Sequence, residues 1–325
     1  MMEIARERGA GAAATGPRSE WIVRICTGFP IRFAGLSMLL VLAVITPGFT
    51  AAPSLLSLIN TGSLIGCVAV GMTFITLSGN IMSFSLGATT GVAAIVCAAL
   101  SGFGAVPALA SAIAVAIVVS AAQGFIIGYF RANPIIVSIA ALALIHGAAE
   151  FATGSKTIYA AENVLDFLKA KVGGIPLAGL VFLASVVVGQ VIQSYTQFGQ
   201  RVMMVGSNLR AAIAAGVQTW RTVTAVYALA GLFAGLAGIL IAGRYGAGTM
   251  EYGEGYDYSA IAGVLVGGTA IAGGEGSVSR SFFGVVVIAS VTVMLLLRGF
   301  ETEYQYLFIG LIVLAAVLLQ GRLRA

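Results

Sequence analysis

Charge is what this sequence has least of. Only 9% of its 325 residues are Asp, Glu, Lys or Arg, against about 25% in a typical soluble domain. So few charges cannot cover a soluble surface of this size, but they suffice for loops between membrane spans. Histidine occurs once. With no H-E-x-x-H and no G-x-S-x-G in the chain, an intramembrane metalloenzyme or serine hydrolase has no support. The three cysteines, Cys26, Cys67 and Cys97, lie far apart and form no C-x-x-C, so they read as small hydrophobes rather than a disulfide or metal framework. No G-x-x-x-x-G-K-[ST] is present, and Ser155-Lys156-Thr157 lacks the glycine spacing, so this chain does not itself cradle the phosphates of ATP. Proline is scarce, at 7, while glycine reaches 43, a balance that fits closely packed membrane helices better than disorder.

What is present is oil: 59% of the residues are hydrophobic. A spanning helix needs about 20 mostly apolar residues, and ten candidate segments meet or approach that length, near 33–49, 58–77, 84–103, 107–130, 134–152, 177–195, 223–243, 258–273, 282–298 and 305–320. The eighth is short and glycine-rich, which predicts a broken or re-entrant span. The expectation is an all-α, polytopic membrane protein with about ten transmembrane helices. It divides into an N-terminal tail (1–32), a membrane domain (33–320) and a C-terminal tail (321–325). Ten spans put both termini on one side. With that side cytoplasmic, 12 of the 17 lysines and arginines fall in inside segments, the direction expected from the positive-inside bias. All three lysines sit in one outside loop, 153–176. The net charge of +5 thus follows membrane topology and is not a nucleic-acid footprint. Five GxxxG pairs, Gly62/Gly66, Gly87/Gly91, Gly124/Gly128, Gly231/Gly235 and Gly263/Gly267, place two glycines on one helix face, where a neighbouring backbone can approach.

The loop 196–222 stands apart. It carries Arg201, Arg210 and Arg221 with no acid, is too long for a tight turn, and has its own helical pattern. Asn208 can cap a short helix continued by the alanine-rich run from Ala211 and Ala212, and Gly216 can end it. A basic helical loop on the cytoplasmic face is a candidate docking surface; the plainer alternative is a topogenic loop.

Four stretches in order resemble one family. GMTFITLSGNIMSFSLGATTGVAA (71–94), GQRVMMVGSNLRAAIAAGV (199–217), VYALAGLFAGLAGIL (226–240) and GYDYSAIAGVLVGGTAIAGGEGSV (255–278) are similar to segments of the permease subunits of ribose-type monosaccharide ABC transporters. The resemblance runs from about 33 to 320. It implies a type II ABC importer-like bundle in a bacterial inner membrane. It further implies a second permease subunit, with a homodimer favoured. Separate ATPase subunits would carry ATP and Mg, no cofactor would bind this chain, and a periplasmic solute-binding protein would deliver a simple sugar. It also implies that Arg201, Gly206, Asn208, Arg210, Ala211, Ala212 and Gly216 form the ATPase-coupling element. The chain departs from the family pattern at Asn80–Gly87, which has no acid, and at Leu209-Arg210, where the family usually has acids. The second departure predicts a complementary acidic groove on the ATPase.

Three sets of polar residues are candidates for further roles. His146 and Glu150 lie four apart on one face of the fifth span, and ionisable groups inside a membrane usually face a bundle interior or a cavity. They are pathway candidates or a local hydrogen-bonded pair. Asn60, Asn80, Ser83, Ser85 and Gln123 supply neutral hydrogen-bonding groups for a sugar pathway or, alternatively, for bonds between helices. Glu251, Glu254 and Asp257, interleaved with tyrosines, form an acidic outer loop that suits binding-protein docking by charge complementarity. Two other functions stay open: a permease for another small solute such as an amino acid or nucleoside, and a stand-alone channel or secondary carrier. Against the carrier stand the lack of an obvious inverted repeat and of a buried carboxylate chain.

Overall fold

A computed structural model describes residues 48–324. The tail 1–32 and nearly all of the first expected span, 33–49, lie outside the described residues. The helices are α1 (Ala52–Leu77), α2 (Leu86–Leu100), α3 (Ala105–Phe130), α4 (Pro134–Thr153), α5 (Leu177–Tyr195), α6 (Gln197–Ser207), α7 (Leu209–Ala214), α8 (Thr219–Tyr245), α9 (Tyr256–Val266), α10 (Val278–Leu297) and α11 (Thr302–Arg324). Among the described residues seven helices are long and apolar enough to cross a membrane: α1, α2 with its trailing 3-10 turn, α3, α4, α5, α8 and α10. They match seven of the ten expected spans. The last expected span is α11, which runs to Arg324, through most of the segment expected as a tail.

The eighth expected span, 258–273, is the shortest departure from regular spanning. Its helix α9 stops after 11 residues, about 16 Å of rise, or half a bilayer core. Gly267 and Gly268 close it, and the chain returns through a loop with positive φ at Gly268, Gly273, Gly274 and Gly276. Non-helical backbone at such depth must be satisfied by protein. Here the Gly268 N–H donates to Leu265, Thr269 to Val264, Ala270 to Glu275 and Gly274 to the Leu77 carbonyl at the end of α1.

Sequence chemistry sets the helix ends. Asn133 accepts the Ile135 N–H at the start of α4, with Pro134 as its first helical residue, and Gly154 ends it at φ 61°. α8 ends at Gly246 with φ 64°. The core is built on α8, which packs against α1, α2 and α3. All ten glycines of the GxxxG pairs meet another element: an added Cβ at Gly231 would overlap the Ala116 carbonyl, one at Gly124 would come 2.5 Å from Tyr227 Cβ, and one at Gly267 would lie 2.5 Å from the Arg280 carbonyl. Two short antiparallel strand pairs, one long-range and one a hairpin, finish one end of the bundle. Ile158–Tyr159 pairs antiparallel with Ala247–Gly248, and Lys171–Val172 with Ile175–Pro176. The first joins the lysine-bearing loop 153–176 to the segment after α8, and Ser101 Oγ accepts the Ala161 N–H at 2.7 Å beside it. The turns after α1 and α6 and the loop after α9 meet at the opposite end.

Candidate functional site

Two places collect the chemistry of this chain. The first is a cavity of about 970 Å³ between α4, α9 and α11, with the residues before α9 and the start of α2. Its walls are mostly apolar, including Ile139, Leu142, Ile261 and Ile309, while His146, Glu254, Asp257, Tyr258 and Tyr306 supply the polar groups. His146 Nδ1 lies 3.7 Å from Glu150 and its Nε2 lies 3.6 Å from Glu254. The expected i, i+4 pair therefore has a third member from another element. Asp257 is 5% exposed. Its Oδ1 accepts the Tyr258 N–H at 3.1 Å, and among the described residues it makes no ion pair.

Glycines explain how a carboxylate is drawn into the protein here. Gly255 at φ 78° turns the chain into α9. A Cβ on Gly87 would sit 2.6 Å from the Gly253 carbonyl and 3.1 Å from Asp257 Oδ1, and one on Gly253 would overlap the Gly87 carbonyl. The bare face of α2 thus lets the 253–257 turn tuck against it. The three acids of the outer loop consequently separate: Glu251 and Glu254 are exposed, while Asp257 is buried and faces the cavity.

The neutral polar candidates lie elsewhere. Ser85 Oγ donates to Gln123 Oε1 at 2.6 Å and lies 3.0 Å from Ser83 Oγ, joining the start of α2 to α3. Asn80 donates to Ser78 Oγ, and Asn60 is half-buried on α1. None of these five lines the cavity. Ser120 Oγ, Gln123 Nε2 and Tyr227 Oη are buried without a hydrogen-bond partner among the described residues.

The second place is the loop 196–218. It holds two helices rather than one. Thr196 caps α6 by accepting the Gly199 N–H, and Val202 and Val205 turn inward while Arg201 and Met204 face out. Asn208 caps α7 by accepting the Ala211 N–H at 3.0 Å. Gly216, at φ 79°, follows the helix end and donates to the Ile213 carbonyl. Ala212 is fully buried, whereas Arg201, Arg210, Ala211, Arg221, Leu209 and Ile213 are exposed. The result is a basic surface with apolar residues between the charges.

Besides the buried Val202, Val205 and Ala212, close main-chain contacts seat this element. A Cβ on Gly206 would overlap the Leu77 carbonyl and lie 2.7 Å from the Gly274 nitrogen. Gly79 faces the Gly206 Cα, and a Cβ on Gly274 would meet the Ser207 Cα at 2.6 Å. The end of α6, the end of α1 and the loop after α9 therefore touch through their main chains. Nearby, Gln193 of α5 donates to the Gly276 carbonyl and accepts the Val278 N–H, both at 2.9 Å, and Gln190 accepts the Ser279 N–H. These two glutamines serve orphan N–H groups at the start of α10. They escaped the sequence reading, although two amides three apart in the last turns of an apolar span were a visible signal. Phe84, Tyr258 and Tyr306 also escaped it as cavity residues, because aromatic rings near membrane boundaries are common.

A bundle of long apolar helices, with a half-length helix beside a largely apolar cavity that holds a few acidic and aromatic polar groups, and an exposed basic element at one end, defines a multi-pass membrane transport subunit. The chain belongs to the family described as branched-chain amino acid transport system / permease component, which matches residues 54–317. It is similar to the ribose import permease protein of Bacillus subtilis (strain 168), at 30% identity over 296 residues, covering 89% of this chain and 92% of that protein. It is also similar to an autoinducer 2 import system permease protein of Klebsiella pneumoniae, at 31% identity over 308 residues, covering 90% and 86%. An L-arabinose ABC transporter permease protein of Azospirillum brasilense is 29% identical over 298 residues, covering 89% and 84%. No solved structure matches the chain. The resemblance to ribose-type permeases carried by four sequence segments is thus borne out across most of the chain.

Proposed function

We propose that this chain is the transmembrane permease subunit of an ATP-driven importer in a bacterial inner membrane, with both termini cytoplasmic, and that its solute is a simple sugar: a pentose, hexose or polyol. The observation that carries the reading is the exposed basic α6–α7 element, rigidly seated against α1 and the loop after α9. Exposed arginines with Leu209 and Ile213 between them suit a cleft on a separate ATPase subunit, which would bind ATP and Mg. Closure of that subunit would push α6, and the main-chain junction would pass the movement toward α9 and the cavity. The ribose and arabinose permeases among its relatives favour a sugar; the description of the family keeps an amino acid as the alternative solute.

A second copy of this chain is the proposed partner across the pathway. α4 exposes Ile136, Ile139, Leu144 and Phe151, and α11 exposes Leu307, Leu311 and Leu314, so apolar surface flanks the cavity on both sides. Glu251 is proposed to meet a periplasmic binding protein, with the exposed Glu254 at the cavity rim beside it, and Asp257 is assigned to the cavity interior.

Reconstitution with the candidate ATPase and binding protein tests the reading. ATP hydrolysis should rise with a sugar from a monosaccharide panel, and Arg201→Glu/Arg210→Glu should abolish the rise while the chain still inserts. A chain that passes solute in liposomes but never assembles with an ATPase would instead be a channel or secondary carrier.

A further inference from the structure

We infer that the cavity between α4, α9 and α11 is itself a weak solute site that selects by charge, accepting neutral and amino-bearing polyols and rejecting anionic ones such as sugar acids and sugar phosphates. This deepens the importer reading and rests on it for the direction of travel. The volume, about 970 Å³, lies at the upper end of the range that small-molecule sites occupy. Its charge has one sign. Glu254 and Asp257 line it, Glu150 stands behind His146, and among the described residues no lysine or arginine lines it. Even a protonated imidazole leaves the acids in excess.

The buried carboxylate has capacity to spare. Asp257 is more than nine-tenths buried, borders the cavity, and accepts the Tyr258 N–H at the start of α9, with no ion-pair partner among the described residues. An ionised carboxylate offers about four acceptor positions, so hydroxyl or ammonium hydrogens of a solute can be taken up in charge-assisted bonds. An anionic solute would meet the same groups as repulsion. The apolar side of a sugar ring finds a counterpart in Phe84 and Tyr258, whose rings stand 6.2 Å apart at 55°, and Tyr306 adds a hydroxyl that can donate or accept. In a delivery system whose binding protein supplies affinity, such a site adds a second test of the cargo.

Saturation-transfer NMR on the full chain in lipid nanodiscs, without ATPase or binding protein, reads this directly. The probes are D-ribose, D-glucosamine and D-gluconate. Ribose and glucosamine should receive saturation, and gluconate should not. Glu254→Gln/Asp257→Asn should weaken glucosamine about tenfold and bring gluconate to the level of ribose. Glu254→Gln alone changes only an exposed side chain and should shift both probes in the same directions by a smaller amount. Equal signals from ribose and gluconate in the wild type, no signal from any probe, or a pattern unmoved by Glu254→Gln would overturn the proposal. Selective binding by a chain that fails to assemble with an ATPase overturns the importer reading alone. Assembly and stimulated hydrolysis without charge selection overturn the site alone.

Discussion

α8 and α4 are both long, uninterrupted and apolar, yet 72% of the most apolar stretch of α8 is buried against 6% of that of α4. Lipid tails are as apolar as leucine, so hydrophobicity cannot tell a membrane helix which neighbour to seek. Small residues at regular spacing can. Gly231, Gly235 and Gly238 bring α8 against Ala116, Ile113 and Ala93, whereas Gly147 of α4 has nothing within 4 Å of where its Cβ would stand. The exposed helix instead carries the ionisable pair and borders the cavity. The packed helix holds the fold, and the unpacked one is left for solute and partner.

The sharpest way to break this contrast is to fill both glycines. Gly231→Leu would drive a side chain into the Ala116 carbonyl and Ser120, and the overlap with backbone should remove the monodisperse folded species in size-exclusion chromatography; overpacking alone costs about 1–3 kcal/mol, and more where the main chain must shift. Gly147→Leu should leave the elution profile unchanged. A smaller effect comes from truncating one phenylalanine on each helix. Phe233→Ala, at a site 1% exposed, should lower stability by about 3 kcal/mol, measured by thermal unfolding in nanodiscs. Phe151→Ala, at a site 91% exposed, should lower it by less than about 0.5 kcal/mol. If both variants lose the same amount, α4 is packed in the assembled protein by a partner that the single chain lacks, and the same pair measured on a dimer would find it. The smallest effect lies outside both helices. Asn208→Ala removes the cap of α7 and should cost about 1 kcal/mol, seen as faster amide exchange at 209–214 with little change in overall unfolding.

Much of this was legible in local spacing. The four-residue glycine pairs announced close packing, and every one of those glycines meets a neighbouring element. Asn208 and Gly216 marked the ends of α7, and the glycine-rich eighth segment foretold a helix too short to span. His146 and Glu150 share a face because helix geometry demands it. What the spacing could not carry was meeting across the chain. Glu254 reaches His146 from an element far along the sequence. Asp257 leaves its acidic neighbours because Gly253 and Gly255 turn it toward α2, which no pattern of charges could reveal. For the same reason the loop 196–222 showed its charge and its caps but not the glycine junction beneath it, whose partners come from three separate parts of the chain.

The loop after α9 also constrains how the protein is made. An 11-residue helix cannot hold itself across a bilayer, and the loop behind it lends its Gly274 N–H to the Leu77 carbonyl, a group synthesised much earlier. During translation that half-length helix and its loop have no stable resting place until α1 and α6 stand together and α10, which packs on Gly263 and Gly267, has followed. Their insertion should therefore be among the last events of biogenesis, and a chain interrupted before α10 should expose an unfinished segment that quality-control proteases can recognise.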